Sequence, residues 1–108
     1  CICEYNVVYC IILINQIKQY KMRLAKSNEI VSGKEFIFVT RDVMSGELRC
    51  YCQCKPYDIH IKDGDIRWST DDGYHEIPYN DKPINRIQGS IAEYDVTVYH
   101  VKTKYKTI

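Results

Sequence analysis

Two aspartate–glycine pairs, Asp63-Gly64 and Asp72-Gly73, constrain the fold of this chain more than any other feature. Asp-Gly between apolar–polar alternations suits the positive φ angles of a type I′ turn, so each pair is expected to close a two-residue hairpin. The first turn pairs Ile61 with Ile66 and Ile59 with Trp68. The second pairs Trp68 with Ile77 and Ile66 with Tyr79. Both registers gather the apolar side chains on one face and leave His60 beside Arg67 on the other, as a half-buried sheet requires.

Upstream lies a stripe of cysteines, Cys50-x-Cys52-x-Cys54, all on one face of a strand. A loop centred on Pro56-Tyr57 would set Cys54 opposite Ile59 and Cys52 opposite Ile61, which makes the stripe part of the core. The alternative is a zinc site completed by His60 or by Cys1 and Cys3. Structural zinc sites space their paired cysteines by two to four residues on a turn, and this stripe does not. The expectation is core, with no metal and no cofactor.

Glu35 to Thr40 is apolar on both faces and reads as a central strand covered twice. Its turn at Ser45-Gly46 allows two registers. A two-residue loop pairs Val39 with Cys52, whereas a three-residue loop ending in Gly46 brings Phe38 to Cys52 and exchanges the faces. At the N-terminal end, Val7 to Ile14 is a continuous apolar run. Asn15 to Lys26 holds good helix formers, with Ile17, Tyr20 and Leu24 at helical spacing. Asp81 as cap, Pro83 in the first turn and Gly89 at the end predict a short helix near 82–88. The last strand, from Ala92 to about Lys104, puts Tyr94, Val96, Val98, His100, Lys102 and Lys104 on one face.

The expected architecture is a β-rich α+β domain. An antiparallel meander of about five strands, as a coiled sheet or small open barrel, is joined to the C-terminal strand, the N-terminal helix and the helix near 82–88. Residues 1–21 read as an apolar N-terminal extension and 22–108 as a single domain.

Of the 108 residues, 15 Lys and Arg stand against 14 Asp and Glu, a net charge of +1 that disfavours a general polyanion binder. The opening Cys1-Ile-Cys-Glu-Tyr lacks the basic region of a secretory signal. The six cysteines are therefore expected to be free, in a reduced, intracellular (cytoplasmic) protein, although disulfides from Cys1, Cys3 or Cys10 to the stripe are open to it. No segment reaches the ~20 apolar residues that cross a bilayer, so no membrane partner is expected.

No nucleotide loop, triad or carboxylate pair is present, and the expectation is a non-enzymatic protein. His60, His75 and His100 read as surface residues. Asp63, Asp65, Asp71 and Asp72 read as turn residues rather than calcium ligands. Ten tyrosines against two phenylalanines favour a surface that binds another protein, since Tyr is large, rigid and amphipathic. The candidate residues are Tyr51, Gln53, His60, Lys62, Arg67, Tyr99, Lys102 and Lys104. Aromatic residues interleaved with bases also suit single-stranded nucleic acid, the second reading. A thiolate metal module on Cys50, Cys52 and Cys54 is the third.

Overall fold

The computed structural model of the chain describes residues 2–3, 22–71, 73–89 and 94–101. The strands are β1 (Ile2–Cys3), β2 (Phe36–Asp42), β3 (Leu48–Cys54), β4 (Tyr57–Lys62), β5 (Asp65–Thr70), β6 (Gly73–Pro78), β7 (Ile87–Gln88) and β8 (Tyr94–His100), with one 3₁₀ turn at Ser27–Glu29. They form two antiparallel sheets, one of order β1-β3-β2-β8-β7 and one of order β4-β5-β6. The expected β-rich domain is present, built as two sheets where one meander was expected.

β2 lies between β3 and β8, and all residues from Phe36 to Thr40 are buried. Phe36 and Phe38 point into a core shared with Cys52, Val96 and Val98 of their own sheet and with Ile66, Trp68 and Ile77 of the other. Ile37 and Val39 point the opposite way and pack with Tyr51, Met22, Leu48, Tyr99 and Val101. The open register resolves in favour of Phe38 opposite Cys52. Gly46, at φ 77°, closes that turn by donating its N–H to the Asp42 carbonyl at 2.9 Å. The Asp42 carboxylate accepts the Ser45 and Met44 amides, which hold its carboxyl below the ordinary range. A register shift after Thr40 absorbs the extra residue on β3.

The junction at Lys55-Pro56 departs most from expectation. β3 and β4 belong to different sheets, so Cys54 does not face Ile59 across a ladder, nor Cys52 face Ile61. Neither Pro56 nor Tyr57, the two residues of the expected loop, has the positive φ that a type I′ hairpin demands. Pro56 instead lacks an N–H for the ladder and keeps Lys55 extended, which carries the chain from one sheet to the other.

Asp63 (φ 54°) and Gly64 (φ 82°) make the expected turn, with Ile61 opposite Ile66 and His60 opposite Arg67. Asp58, at φ 54°, sits in a bulge that displaces Ile59 from its expected place opposite Trp68. At the second hairpin Thr70 pairs with Gly73, so Gly73 belongs to the ladder rather than to the turn expected of it. Trp68 therefore lies opposite His75, and Ile66 opposite Ile77. A slip of two residues preserves the faces, so the core composition survives the wrong partners. Ile61 shares the core face but remains 54% exposed, because β4 is the edge of its sheet.

The helix expected near 82–88 is absent. The Ile84 N–H donates to Ala25 and the Val98 N–H to the Ile84 carbonyl, at 2.8 and 3.1 Å. Asn80, not Asp81, accepts the Lys82 amide, and Arg86 turns the chain at φ 60° into β7. Backbone groups used between segments cannot form a helix, and local propensity yields to that closure. Most of the expected N-terminal helix lies outside the described residues. Its described end, Met22 to Lys26, is extended, with Leu24 bridged to Tyr99 and Lys26 to Pro83. Ile2 and Cys3, inside the 1–21 stretch, pair with Tyr51 and Cys50.

The core is aromatic at its centre. The Phe38 ring lies 6.0 Å from Trp68 and 6.3 Å from the His75 ring, to which it is nearly parallel. Phe38→Ala removes this keystone and should lower the urea-unfolding free energy by about 3–5 kcal/mol. A loss below about 1 kcal/mol, as at an exposed position, would contradict the packing.

Candidate functional site

The eight candidate residues do not form one surface. Tyr51 is buried at 6% exposure on the outer side of the five-stranded sheet, where Tyr99 is partly buried beside the same cluster. Gln53, at the rim, reaches Glu35 at 3.4 Å. Lys102 and Lys104 lie outside the described residues. Phe38, which one register would have added to the face, is in the core.

Three candidates do meet, on the outer face of the three-stranded sheet. β5 buries Ile66, Trp68 and Thr70 against the other sheet, so its alternate residues Asp65, Arg67 and Ser69 face outward. The register arranges that face in rows. Lys62 lies opposite Asp65, with Pro78 on the far side. His60, Arg67 and Glu76 form the next row, and Tyr57, Ser69 and Tyr74 the third. Tyr57 and Tyr74 are 48% and 39% exposed and stand two strands apart, about 10 Å, across the small Ser69. The Tyr57 hydroxyl donates to the Thr70 carbonyl at 3.3 Å, which fixes one wall of this gap.

Charge on this face is locally balanced. Arg67 pairs with Glu76 at 2.8 Å, and Lys62 lies opposite Asp65. His60 is exposed, with Nδ1 3.2 Å from the Asp58 carbonyl oxygen. Sequence reasoning missed Tyr57 and Tyr74, because it placed Tyr57 in a turn. Alternation outward from Arg67 to Ser69 was the available signal.

The other two histidines are buried, against expectation. His75 stacks on Trp68 at 5.2 Å and meets Tyr94 edge-on at 6.0 Å. His100 packs on Phe36 at 5.5 Å. Alternation alone sets them on the faces of Ile77 and Val98, so both positions were legible. His100 Nε2 lies 2.9 Å from Glu29 Oε1, which ties the 3₁₀ turn to β8. The pair therefore acts as a structural clasp between these two elements.

Cys52 is fully buried in the core, and Cys54 packs against it. Cys50 and Cys52 each belong to a disulfide, and Cys54 does not. A sulfur committed to a disulfide is not a thiolate ligand, and the stripe in this state does not supply a three-thiolate metal site. Among the described residues no cluster of three or more His, Cys, Asp or Glu could hold a metal ion, and no helix is long and apolar enough to cross a membrane.

No protein-family model, curated protein or solved structure matches the chain.

The Glu29 clasp has a pH signature. The Lys26 backbone N–H, 2.9 Å away, and then His100 hold the Glu29 carboxyl at about 2, below its ordinary 4.5. A folded-state value below the unfolded one stabilises above about pH 4.5, and that contribution is lost as the pH falls toward 2. Glu29→Gln should therefore be less stable than the parent near neutrality and converge with it on acidification, as read from urea midpoints. A stability gap that stays constant from pH 7 to about 2.5 would contradict the assignment.

Proposed function

We propose that this chain is a small, non-enzymatic binding module that contacts another protein through the outer face of its three-stranded sheet. One observation carries the reading: Tyr57 and Tyr74 are exposed on either side of Ser69, above a row of locally paired charges. Exposed tyrosines offer large contact area with little conformational entropy to lose. The outer side of the five-stranded sheet is a poorer contact surface, because Ile37, Val39 and Tyr51 are already buried there.

Nucleic acid is the second reading, supported by His60, Lys62 and Arg67 lying near Tyr57 and Tyr74. A phosphate-tracking surface draws on unneutralised cations, and Arg67 and Lys62 each have a carboxylate beside or opposite them. The protein reading is therefore favoured.

Capture from native extract tests the reading. The tagged chain should retain its partner after nuclease treatment and at about 0.5 M salt, where phosphate-driven binding collapses. Tyr74→Ala should weaken capture by about 30-fold, the scale of one aromatic anchor. Capture abolished by nuclease, or unchanged in Tyr74→Ala, would count against it.

A further inference from the structure

The outer strand of the same sheet is open. β4 is an edge strand, and every residue in it except Ile59 is exposed. The sheet's other edge, β6, ends in Pro78, which has no N–H, and its Tyr74 carbonyl already accepts the Tyr94 hydroxyl at 3.5 Å. In the five-stranded sheet the end strands β1 and β7 are two residues long each. Among the described residues β4 therefore presents unpaired backbone over a useful length. The pair Lys62–Asp65 flanks a two-residue turn and is hydrogen-bonded, so by alternation the Ile61 N–H and C=O point away from β5.

We propose that β4 pairs with β4 of a second copy of this chain, antiparallel about a two-fold axis at His60, joining the two three-stranded sheets. The inference rests on the reading that this sheet makes protein contacts, and it names one partner. What selects the register is charge. With His60 on the axis, Ile59 lies opposite Ile61 of the second copy and Asp58 opposite its Lys62, and the two-fold repeats both pairs. Within one copy Asp58 and Lys62 are about 13 Å apart along the strand and cannot satisfy each other. The lysine that would ordinarily blunt an edge is thus matched by an aspartate at its symmetry-related place. The bulge at Asp58 limits the hydrogen-bonded ladder to Ile59–Ile61 and leaves Asp58 and Lys62 to meet through their side chains just beyond it, so the pairing is short and reversible. A net charge of +1 opposes it with little long-range repulsion.

Sedimentation equilibrium of the full chain between about 10 µM and 1 mM tests this, with a thermal melt of each variant alongside. The weight-average mass should rise toward that of two chains. Lys62→Asp or Asp58→Lys alone sets like charges opposite each other twice and should weaken association about tenfold or more. The double swap, Asp58→Lys with Lys62→Asp, should restore it. Ile61→Pro removes an outward N–H without touching the ladder to β5, and should abolish association in a folded protein. Tyr74→Ala, two strands away, should self-associate like the parent whatever it does to capture from extract, which separates the two readings. A parent that stays monomeric to 1 mM, a Lys62→Asp variant that associates normally, or a folded double swap that stays weak would overturn the proposal.

Discussion

β2 has no side in water, and both layers of the molecule depend on that. Its odd and even residues are buried alike: Phe36 and Phe38 toward the second sheet, Ile37 and Val39 toward the opposite side. An antiparallel sheet normally leaves one face solvated. Here the central strand needs cover twice, and the sheet of β4, β5 and β6 supplies one cover by laying Ile66, Trp68 and Ile77 over the phenylalanines. The function proposed for the chain follows from the same arrangement. Because the second sheet gives its inner face to Phe36 and Phe38, its outer face carries Tyr57, Ser69 and Tyr74 into solvent.

The closure around β8 shows how tertiary demand overrides local preference. The free side of β8 is shared by three short pieces: β7, the backbone around Ile84, and Arg23 to Ala25. The Ala25 N–H donates to Val98 at 2.9 Å and the His100 N–H to Arg23 at 2.8 Å. No piece offers more than a few residues, yet together they leave little of that edge unpaired among the described residues. The Glu29–His100 clasp and Ser27, which accepts the Asn80 amide at 2.7 Å, pin the same region. Pro83 and Gly89 suggested a helix, but a helix would have withdrawn the amides that close the sheet.

Legibility in the sequence tracked how local each signal was. Asp63-Gly64 fixed its hairpin because the turn geometry resides in those two residues. The two-sided burial of β2 was legible because an unbroken apolar run has no polar face to expose. Pro56 was misread, since a proline fixes its own φ but not the direction the chain takes afterwards, and which sheet receives β4 is a long-range matter. The candidate site suffered from the same error. Placing β3 and β4 in one sheet set Tyr51 and Gln53 beside His60, Lys62 and Arg67, whereas the fold separates them and buries Tyr51. His60, Lys62 and Arg67 stayed together because one reliable turn joins them.

Whether the chain changes sheets at Pro56 is decided most directly by cross-strand proton contacts in an NMR spectrum. Contact between the Phe38 and Trp68 rings is expected, with α-proton contacts linking Val39 to Tyr51, as the Phe38–Cys52 register requires, and none linking Cys54 to Ile59. Ladder contacts from Cys54 to Ile59 and from Cys52 to Ile61 would contradict the two-sheet arrangement, and with it the placement of Tyr57 and Tyr74 on an open face.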